Sequence, residues 1–341
     1  MIDFDTKRRK PKVLRWLVPL LFSGLAFWLV LRNADLPTLA NNLRQISWKS
    51  FVLATVIYFA SFVFRALCWI FLLYRKVAFR DVFFTMGAGY LLNNIFPFRL
   101  GEIGRAVLLD EPGRISFFEV LSSVFIERLF DVFLATVFIL SVLPKVVGSN
   151  FDQRVILFVF VFSTLILAGL LLLVKNQEKL ENWLLRERKN NHFVKTWLAP
   201  KVINILDGLS TLASPRIFFL SFTSLALSWG LAFVQNWIIF GDLFLRPPFW
   251  WMVFVLSTGA FGAALPSAPA GLGVFEGAMV AAFSLLGVNT ETALTHAVVT
   301  HLMTFVYASL IGLIGLRLRG EVIIGFFQRV LNRDPKRMMT D

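Results

Sequence analysis

Six long apolar segments alternate with shorter polar ones along the chain. They cover residues 13–31, 51–74, 117–143, 155–174, 217–240 and 293–316. A helix needs about 20 predominantly apolar residues to cross a hydrocarbon core of about 30 Å, and each segment is close to that length or longer. The pattern therefore predicts an all-α polytopic membrane protein with about six spanning helices.

Two further apolar segments, 82–110 and 249–287, are interrupted in the middle by prolines and glycines. Residues 82–95 would form only about 21 Å of helix at about 1.5 Å per residue, too short to cross the core. Each segment is therefore predicted to be a re-entrant hairpin that is broken at its tip. Spanning helices with proline kinks are the alternative, chiefly for the second segment. The residues at the breaks are Pro97, Gly101, Pro266, Pro269, Gly271 and Gly273.

The two interruptions share one pattern, in which Pro-x-x-x-Gly is followed by a glutamate. The residues concerned are Pro97, Gly101 and Glu102 in the first hairpin, and Pro269, Gly273 and Glu276 in the second. Both halves of the chain, 50–143 and 216–317, then read span, hairpin, span. Many secondary transporters are inverted repeats of this kind, with sites where broken helices meet near the midplane. The sequence predicts such a repeat, with coincidence between two short matches as the alternative.

Composition and charge agree with membrane insertion. The 341 residues are 57% hydrophobic with a mean hydropathy of +0.72, more apolar surface than a soluble domain of this size can cover. The net charge of +13 does not indicate nucleic acid, because the basic residues flank apolar segments, as the positive-inside rule requires. Their distribution places four segments in the cytoplasm: 1–12, the loop 75–80, an amphipathic connector 175–215 and the tail 318–341. By this assignment the first hairpin enters from the inside and the second from the outside.

The chain is thus predicted to be one integral membrane domain, 1–341, of the cell membrane. It is multi-pass and has both termini in the cytoplasm. The first apolar segment is interpreted as a retained span, because it is too long for the apolar region of a signal peptide.

Charged and amide side chains at the first break indicate an anionic ligand. Asn94, Arg99, Glu102 and Arg105 lie at or beside it. Charge and irregular backbone at membrane depth are tolerated only where they line a cavity or are buried in protein. The half-helix that begins near Gly101 directs its positive end at the break, and the two arginines suit a phosphate. Glu102 suits the helix dipole and can pair with Arg105.

A second polar group lies inside the apolar segments. Glu127, Arg128 and Asp131 are in the third segment and Arg65 is in the middle of the second. A charge at a helix centre costs about 2.5–3.5 kcal/mol on insertion scales, so these groups must meet partners or water. Arg128 can reach Asp131 at i+3, and one of the acids is a natural counter-ion for Arg65. The group is either an ion-pair network that holds helices together or a basic path for a headgroup.

The last segment carries His296 and His301. They point about 140° apart at about 100° per residue and make a poor metal pair. Either can relay protons or bond to a neighbouring carbonyl. Glu276 is the stronger candidate for proton coupling, because it lies at a break, and capping of the half-helix is its alternative role. With Cys68 as the only cysteine, no metal or cofactor is expected.

Three segments now stand out: NNIFPFRLGEIGRAVLL at 93–109, ERLFD at 127–131 and LPSAPAGLGVFEGAMV at 265–280. In that order they resemble the signature segments of the lysylphosphatidylglycerol-synthase transmembrane-region family, also called the flippase-like family. The resemblance covers roughly residues 12–319. Family members are polytopic inner-membrane proteins. Some carry a cytosolic domain that aminoacylates phosphatidylglycerol, while others stand alone and accompany hopanoid transport or glycosyl transfer to polyprenyl phosphates.

The resemblance implies a flippase or transporter for a lipid with an anionic headgroup, such as a phospholipid, a polyprenyl phosphate or a hopanoid-type lipid. The aminoacylating domain is expected to be absent, so synthase activity is not implied. We expect substrate binding by Asn94, Arg99, Glu102, Arg105, Arg128 and Glu276. We expect gating or ion pairing by Arg65, Glu127, Asp131 and His301.

Two other functions stay open. One is an intramembrane enzyme acting on a lipid phosphate, with Glu127 and Asp131 as acid and base. No P-loop, G-x-S-x-G or H-E-x-x-H signature supports it. The other is an accessory partner of a separate lipid synthase or glycosyltransferase.

Overall fold

The computed structural model describes residues 35–96, 99–111, 113–148, 214–264 and 269–320, together with isolated positions elsewhere, and this part of the chain is helical. The helices are α1 (Leu36–Gln45), α2 (Trp48–Leu72), α3 (Phe79–Ile95), α4 (Leu100–Leu109), α5 (Phe117–Val147), α6 (Pro215–Gly241), α7 (Phe249–Ala264), α8 (Val274–Leu285) and α9 (Thr290–Leu318). A single 3-10 turn, Pro269–Gly271, precedes α8.

Four helices within the described ranges are long and apolar enough to cross a membrane, namely α2, α5, α6 and α9. They confirm four of the six predicted spans. The other two, 13–31 and 155–174, lie outside the continuously described residues, as do Pro97, Pro266, the N-terminus 1–12, the connector 175–215 and nearly all of the tail 318–341. The polar helix α1, capped by Asp35, was not predicted.

The first hairpin consists of α3 and α4, and it returns to the face of the bundle at which it enters. The end of α2 lies beside the start of α5, because Lys76 Nζ contacts Glu119 Oε1 at 2.6 Å. Arg114, between α4 and α5, donates to the Lys76 carbonyl at 2.9 Å. With 17 and 10 residues, the two half-helices reach about 25 and 15 Å, short of a core of about 30 Å.

The second hairpin consists of α7 and α8 and closes in the same way. Phe240, at the end of α6, has no exposed surface. Its ring contacts Trp251 at the start of α7, Phe283 at the end of α8 and His296 at the start of α9, with centroid distances of 6.3, 4.6 and 5.3 Å. The entry and exit of this hairpin therefore share one face, which agrees with a re-entrant hairpin rather than two kinked spans.

The two halves, α2–α5 and α6–α9, form an inverted repeat. Helices α2 and α6 pack antiparallel, because Ser47 N donates to Asp242 Oδ2 at 2.8 Å while Ser61 Oγ lies 3.0 Å from Ser228 Oγ. Each hairpin follows one of these two helices, so the hairpins enter from opposite faces. The packing repeats as well: α3 lies on α9 as α7 lies on α5, and α4 lies on α5 as α8 lies on α9.

Glycines allow the half-helices to pack closely. A Cβ on Gly101 would overlap the carbonyl oxygen of Gly89 in α3, and a Cβ on Gly312 would lie 2.5 Å from the Gly87 oxygen. In the second hairpin, a Cβ on Gly262 would lie 2.6 Å from the Ala278 Cβ. Small residues let helices approach in the membrane, where dispersion contacts replace a hydrophobic driving force. The close approach holds both broken tips in the centre of the bundle.

Candidate functional site

The tips of the two hairpins meet inside the bundle, where α3 contacts the 269–271 turn. Each tip contains a non-glycine residue in the left-handed region, Arg99 with φ 54° and Ala270 with φ 61°. This conformation costs a non-glycine residue about 1–2 kcal/mol. Such strain persists only where surrounding structure determines it, and it is common at binding sites. The side chains around Arg99 are therefore candidates for a binding site.

Glu127 is the centre of a buried ion cluster beside the first tip. It has no exposed surface, and its carboxylate accepts from Arg65 Nη1 at 3.0 Å, Arg105 Nη2 at 2.5 Å and Arg128 Nη2 at 2.6 Å. These charge-assisted bonds join α2, α4 and α5. The predicted ion-pair network is present.

Asp131, one turn further along α5, completes the cluster. Both of its oxygens accept from the Arg65 guanidinium at 2.9 Å, and Arg128 Nη1 approaches at 3.1 Å. The indole of Trp229 in α6 donates to it at 3.0 Å. The predicted pairs of Arg65 with an acid and of Arg128 with Asp131 are confirmed, and Trp229 ties the cluster to the second half of the repeat.

Arg105 and Glu102 do not form the pair that their i, i+3 spacing suggested. Arg105 points into the protein, where its guanidinium carbon lies 3.7 Å from the centre of the Trp69 ring and an Nη atom binds Glu127. Glu102 instead lies 3.8 Å from Arg128 Nε, a distance for an ion pair but too long for a hydrogen bond. Tertiary packing outweighs the weak local pairing of an exposed helix.

Arg99 differs from the other arginines of the site, because its side chain makes no hydrogen bond or ion pair with any residue that the structure describes. We define the arginine cluster as Arg65, Arg99, Arg105 and Arg128 with the carboxylates Glu102, Glu127 and Asp131. Four positive and three negative groups give a formal net charge of +1. An anion at Arg99 would balance it.

A cavity of about 350 Å³ opens beside the arginine cluster. Arg65, Arg99, Arg128 and Asp131 form its charged end, and most of its remaining wall is apolar, including Phe62, Val132, Leu256, Phe261 and Phe275. A much smaller cavity of about 20 Å³ also borders the cluster and is lined by Glu102 and Arg105 among others. That volume admits about one water molecule. Tyr90, Arg99 and Arg128 line both cavities and separate them.

The two neighbouring asparagines of α3 have different roles. Asn94, predicted to bind substrate, lines neither cavity among those described and donates instead to Phe305 O at 3.2 Å and Ser309 Oγ at 2.8 Å in α9. Asn93, which sequence reasoning missed, accepts from Gly101 N at 2.7 Å and lines the small cavity. Asn93 thus satisfies one of the free N–H groups at the start of α4.

The second tip is organised by Glu276 and His301. Glu276 caps α8, since Oε2 accepts from Gly273 N at 2.8 Å, and its other oxygen lies 2.6 Å from His301 Nδ1. His301 Nε2 lies 3.1 Å from the Ala270 carbonyl. The capping role named for Glu276 and the carbonyl contact named for His301 are both present. His296 packs apart from this site, 3.1 Å from Asn236 Oδ1.

Sequence reasoning missed the contribution of α6 to the cavity. Ser228, Ala232 and Gln235 lie at i, i+4 and i+7 and all line it. Ser228 and Gln235 are polar residues at i and i+7 within an apolar span, which places them on one helix face, and this was the available signal. From α2, the hydroxyl-bearing residues Tyr58 and Ser61 line the same cavity.

Comparison with known proteins agrees with the membrane fold. A UPF0104 membrane protein of Methanocaldococcus jannaschii is 28% identical over 253 residues, which cover 72% of this chain and 97% of that protein. A UPF0104 membrane protein of Methanothermobacter thermautotrophicus is 28% identical over 109 residues, 32% of this chain and only 31% of that relative. The family model for the lysylphosphatidylglycerol synthase TM region matches residues 16–312. The chain therefore belongs to the lysylphosphatidylglycerol synthase TM region family.

Proposed function

We propose that this protein moves a lipid with an anionic headgroup between the leaflets of the cell membrane. The observation that carries the proposal is the Arg99 side chain, which has no partner among the described residues. It lies at the charged end of a cavity with mostly apolar walls, where the tips of two inverted hairpins meet. A site at the meeting point of broken helices in an inverted repeat is typical of secondary transporters. We place both termini in the cytoplasm, following the charge distribution of the sequence.

Arg99 would bind the phosphate, with Arg128, which lines the same cavity, as a second donor. Arg128 already forms ion pairs with Glu127 and Asp131. It would therefore add to the positive potential at the phosphate, although its own charge is largely compensated. Arg65 and Arg105 would act indirectly, because their guanidinium groups are engaged by buried carboxylates. One unpaired arginine gives an interaction weak enough to release the headgroup on the opposite side.

Movement would require a change at the residues that separate the two cavities. Tyr90, Arg99 and Arg128 lie between a large and a very small cavity. If the small cavity enlarges as the large one closes, a headgroup bound at Arg99 loses access to the large cavity and becomes accessible through the small one. Glu102, 3.8 Å from Arg128 Nε, would act as the gating partner, and Glu276 with His301 would hold or couple a proton at the second tip.

The test is leaflet-resolved transport in proteoliposomes that contain trace fluorescent phospholipids with anionic or zwitterionic headgroups. Arg99→Ala removes the unpaired charge. The matched control is Arg246→Ala, because Arg246 has φ 52° and is also exposed, but lines neither cavity. A hydrogen bond to a charged group contributes about 1.5–3 kcal/mol, so Arg99→Ala should slow anionic lipids about 10- to 100-fold.

The proposal predicts that Arg246→Ala transports like the wild type. It also predicts that the wild type moves anionic lipids faster than zwitterionic ones, whose ammonium offsets the phosphate charge, and that Arg99→Ala reduces this preference. Equal rates for Arg99→Ala and the wild type would contradict it. Absence of lipid movement in every condition, including an imposed proton gradient, would favour the other two functions. New lipid products in micelles would then indicate an enzyme, and a phenotype that depends on a neighbouring synthase or glycosyltransferase would indicate an accessory partner.

A further inference from the structure

The two cavities extend from the arginine cluster toward different ends of the helices. The large one reaches from Arg65 to Tyr58, which lies nearer the start of α2 by a rise of about 10 Å. The start of α2 lies beside the end of α6, where the second hairpin enters. The small one reaches Met86 in the first half of α3, which begins where the first hairpin enters. The space at Arg99 therefore extends widely toward the entry of the second hairpin and narrowly toward the entry of the first.

Arg319, directly after α9, joins the two arms of the first hairpin at their entry. Its Nη1 donates to the carbonyl of Leu108 in the last turn of α4 at 2.6 Å, and its Nη2 lies 3.5 Å from Asp81 Oδ1 in the first turn of α3. A cation at a helix C-terminus is favoured by the helix dipole. One guanidinium thus bridges the start and the end of the hairpin that lines the small cavity.

The two arms depend on this bridge to different degrees. Helix α3 is fixed to α9 without it, through the close approach of Gly87 to Gly312 and the hydrogen bond from Asn94 to Ser309. Among the described residues, the hydrogen bond that joins α4 to α9 is the one from Arg319. Loss of this bond would therefore free the end of α4 while α3 stays on α9, and the small cavity between the two arms would widen.

The position that corresponds to Arg319 in the other half of the repeat makes a weaker contact. Helix α5 packs on α7 as α9 packs on α3, and its last turn carries Lys145. The Lys145 ammonium is exposed and lies 5.9 Å from the centre of the Trp250 ring at the start of α7, near the limit of a cation–π contact. The bridge is thus closed at the entry of the first hairpin, where the cavity is small, and weak at the entry of the second, where the cavity is large.

We propose that Arg319 is a gating residue, whose release from Leu108 and Asp81 opens the small cavity and gives Arg99 access to the face at which the first hairpin enters. This inference rests on the proposed function and specifies how access to its site is controlled. Arg319 does not touch the headgroup. It holds α4 against α3 and α9 and so sets the population of the state in which the large cavity is open.

The experiment measures thiol labelling in detergent by a water-soluble reagent, so it needs no transported lipid. Met86→Cys, in a Cys68→Ala background, reports on the small cavity, because Met86 lines only that cavity and has no exposed surface. Arg319→Gln removes the bridge. The matched control is Arg317→Gln, since Arg317 lies in the same turn of α9, is exposed, and its side chain has no partner among the described residues.

We expect Arg319→Gln to label the cysteine at 86 about 5- to 30-fold faster, as for loss of a partly exposed charge-assisted bond. Arg317→Gln should label it at the unaltered rate. Native Cys68, in a chain that carries only Arg319→Gln, should label as in the wild type, because it is buried and lines neither cavity. General loosening of the bundle would accelerate its labelling too.

A further variant separates gating from local fraying of α4. Ala232 lines the large cavity but not the small one, and the indole of Ala232→Trp would keep the large cavity from closing. If the two cavities alternate, Ala232→Trp returns the cysteine at 86 in Arg319→Gln to slow labelling. Fraying of α4 would leave its labelling fast.

Asp81→Asn provides a second test if Arg319→Gln does not fold. It removes only the ion pair, which is partly exposed, so labelling at 86 should rise by about 2- to 5-fold. Unchanged labelling at 86, equal acceleration at Cys68, or fast labelling that Ala232→Trp does not suppress would overturn the gate. None of these results would affect lipid binding at Arg99. Absence of lipid movement in every condition would instead overturn the proposed function, while the labelling still decides whether Arg319 controls access.

Discussion

Replacement of Glu127 by glutamine should severely destabilise this fold, because Glu127 is the acceptor that three arginines share. Arg65 and Arg128 also have Asp131 as a partner, whereas Arg105 has Glu127 as its only acidic partner among the described residues. Glu127→Gln keeps the size of the side chain and removes its charge. The formal charge of the arginine cluster then rises from +1 to +2 inside a helix bundle.

Removal of one partner from a buried ion pair costs about 3–5 kcal/mol, since the remaining charge is uncompensated. Arg105→Gln should cost a comparable amount, because Glu127 then loses one of three donors and Trp69 loses the guanidinium that lies over its ring. In the double variant both side chains are neutral, so neither substitution leaves the other residue as a buried charge without its partner. We therefore expect the two losses to be strongly non-additive, with an interaction energy of about 1–3 kcal/mol.

The chain carries its own reporter for this measurement. Cys68 is the only cysteine of the sequence and has no exposed surface, so a thiol reagent labels it only when the surrounding helices open. A loss of 3–5 kcal/mol corresponds to labelling that is about 10²- to 4 × 10³-fold faster, provided that opening is at equilibrium. Labelling rates in detergent for the wild type, both single variants and the double variant complete the cycle.

The control for this cycle is Glu119→Gln, on the same helix as Glu127. Glu119 is partly exposed and pairs with Lys76 at the surface. Solvent screening limits such a pair to at most about 1 kcal/mol. Labelling of Glu127→Gln at the wild-type rate, or a double variant whose acceleration equals the product of the two single ones, would refute the description of Glu127 as the shared buried acceptor.

Two further predictions separate packing from binding. Gly101→Ala should destabilise the first hairpin and abolish lipid movement, because its Cβ would overlap the Gly89 carbonyl. Gly230→Ala, with open space at its Cβ, should be tolerated. Thermal melts and the transport assay check both variants. Asn94→Ala should accelerate Cys68 labelling through the lost bonds to α9, yet keep the wild-type preference for anionic lipids. Loss of the preference for anionic lipids would instead indicate that Asn94 contributes to lipid binding.

Much of the architecture could be predicted from the sequence because membrane crossing imposes a length. Six apolar segments were long enough to span, and the structure has helices at the four that lie within the described residues. The interrupted segments at 82–110 and 249–287 were too short on each side of their breaks, so a return to the same face was the remaining geometry. The inverted relation was inferred from loop charges, and the antiparallel pairing of α2 with α6 supports it independently.

The partners of individual charges were harder to predict. Spacing along one helix gave the pair of Arg128 with Asp131, because i, i+3 neighbours are fixed by helix geometry. The same rule failed for Glu102 and Arg105. Rotation of α4 against α3, set by the Gly89–Gly101 approach, turns Arg105 toward Trp69 and Glu127. Contacts between elements depend on such rotations, and a single sequence does not show them.

The two halves of the repeat differ in charge, and under the proposed function this difference would decide where an anion binds. At the second tip, the Ala270 carbonyl can only accept, so His301 Nε2 must carry a hydrogen to bond to it. The 2.6 Å contact of Nδ1 with Glu276 then needs one more proton, on either atom. Whichever atom holds that proton, the pair has no net charge. The first tip has an arginine whose side chain has no partner among the described residues, and the arginine cluster beside it has a formal charge of +1. The backbone of the repeat therefore offers two comparable tips, but the electrostatic attraction for a phosphate is at the first.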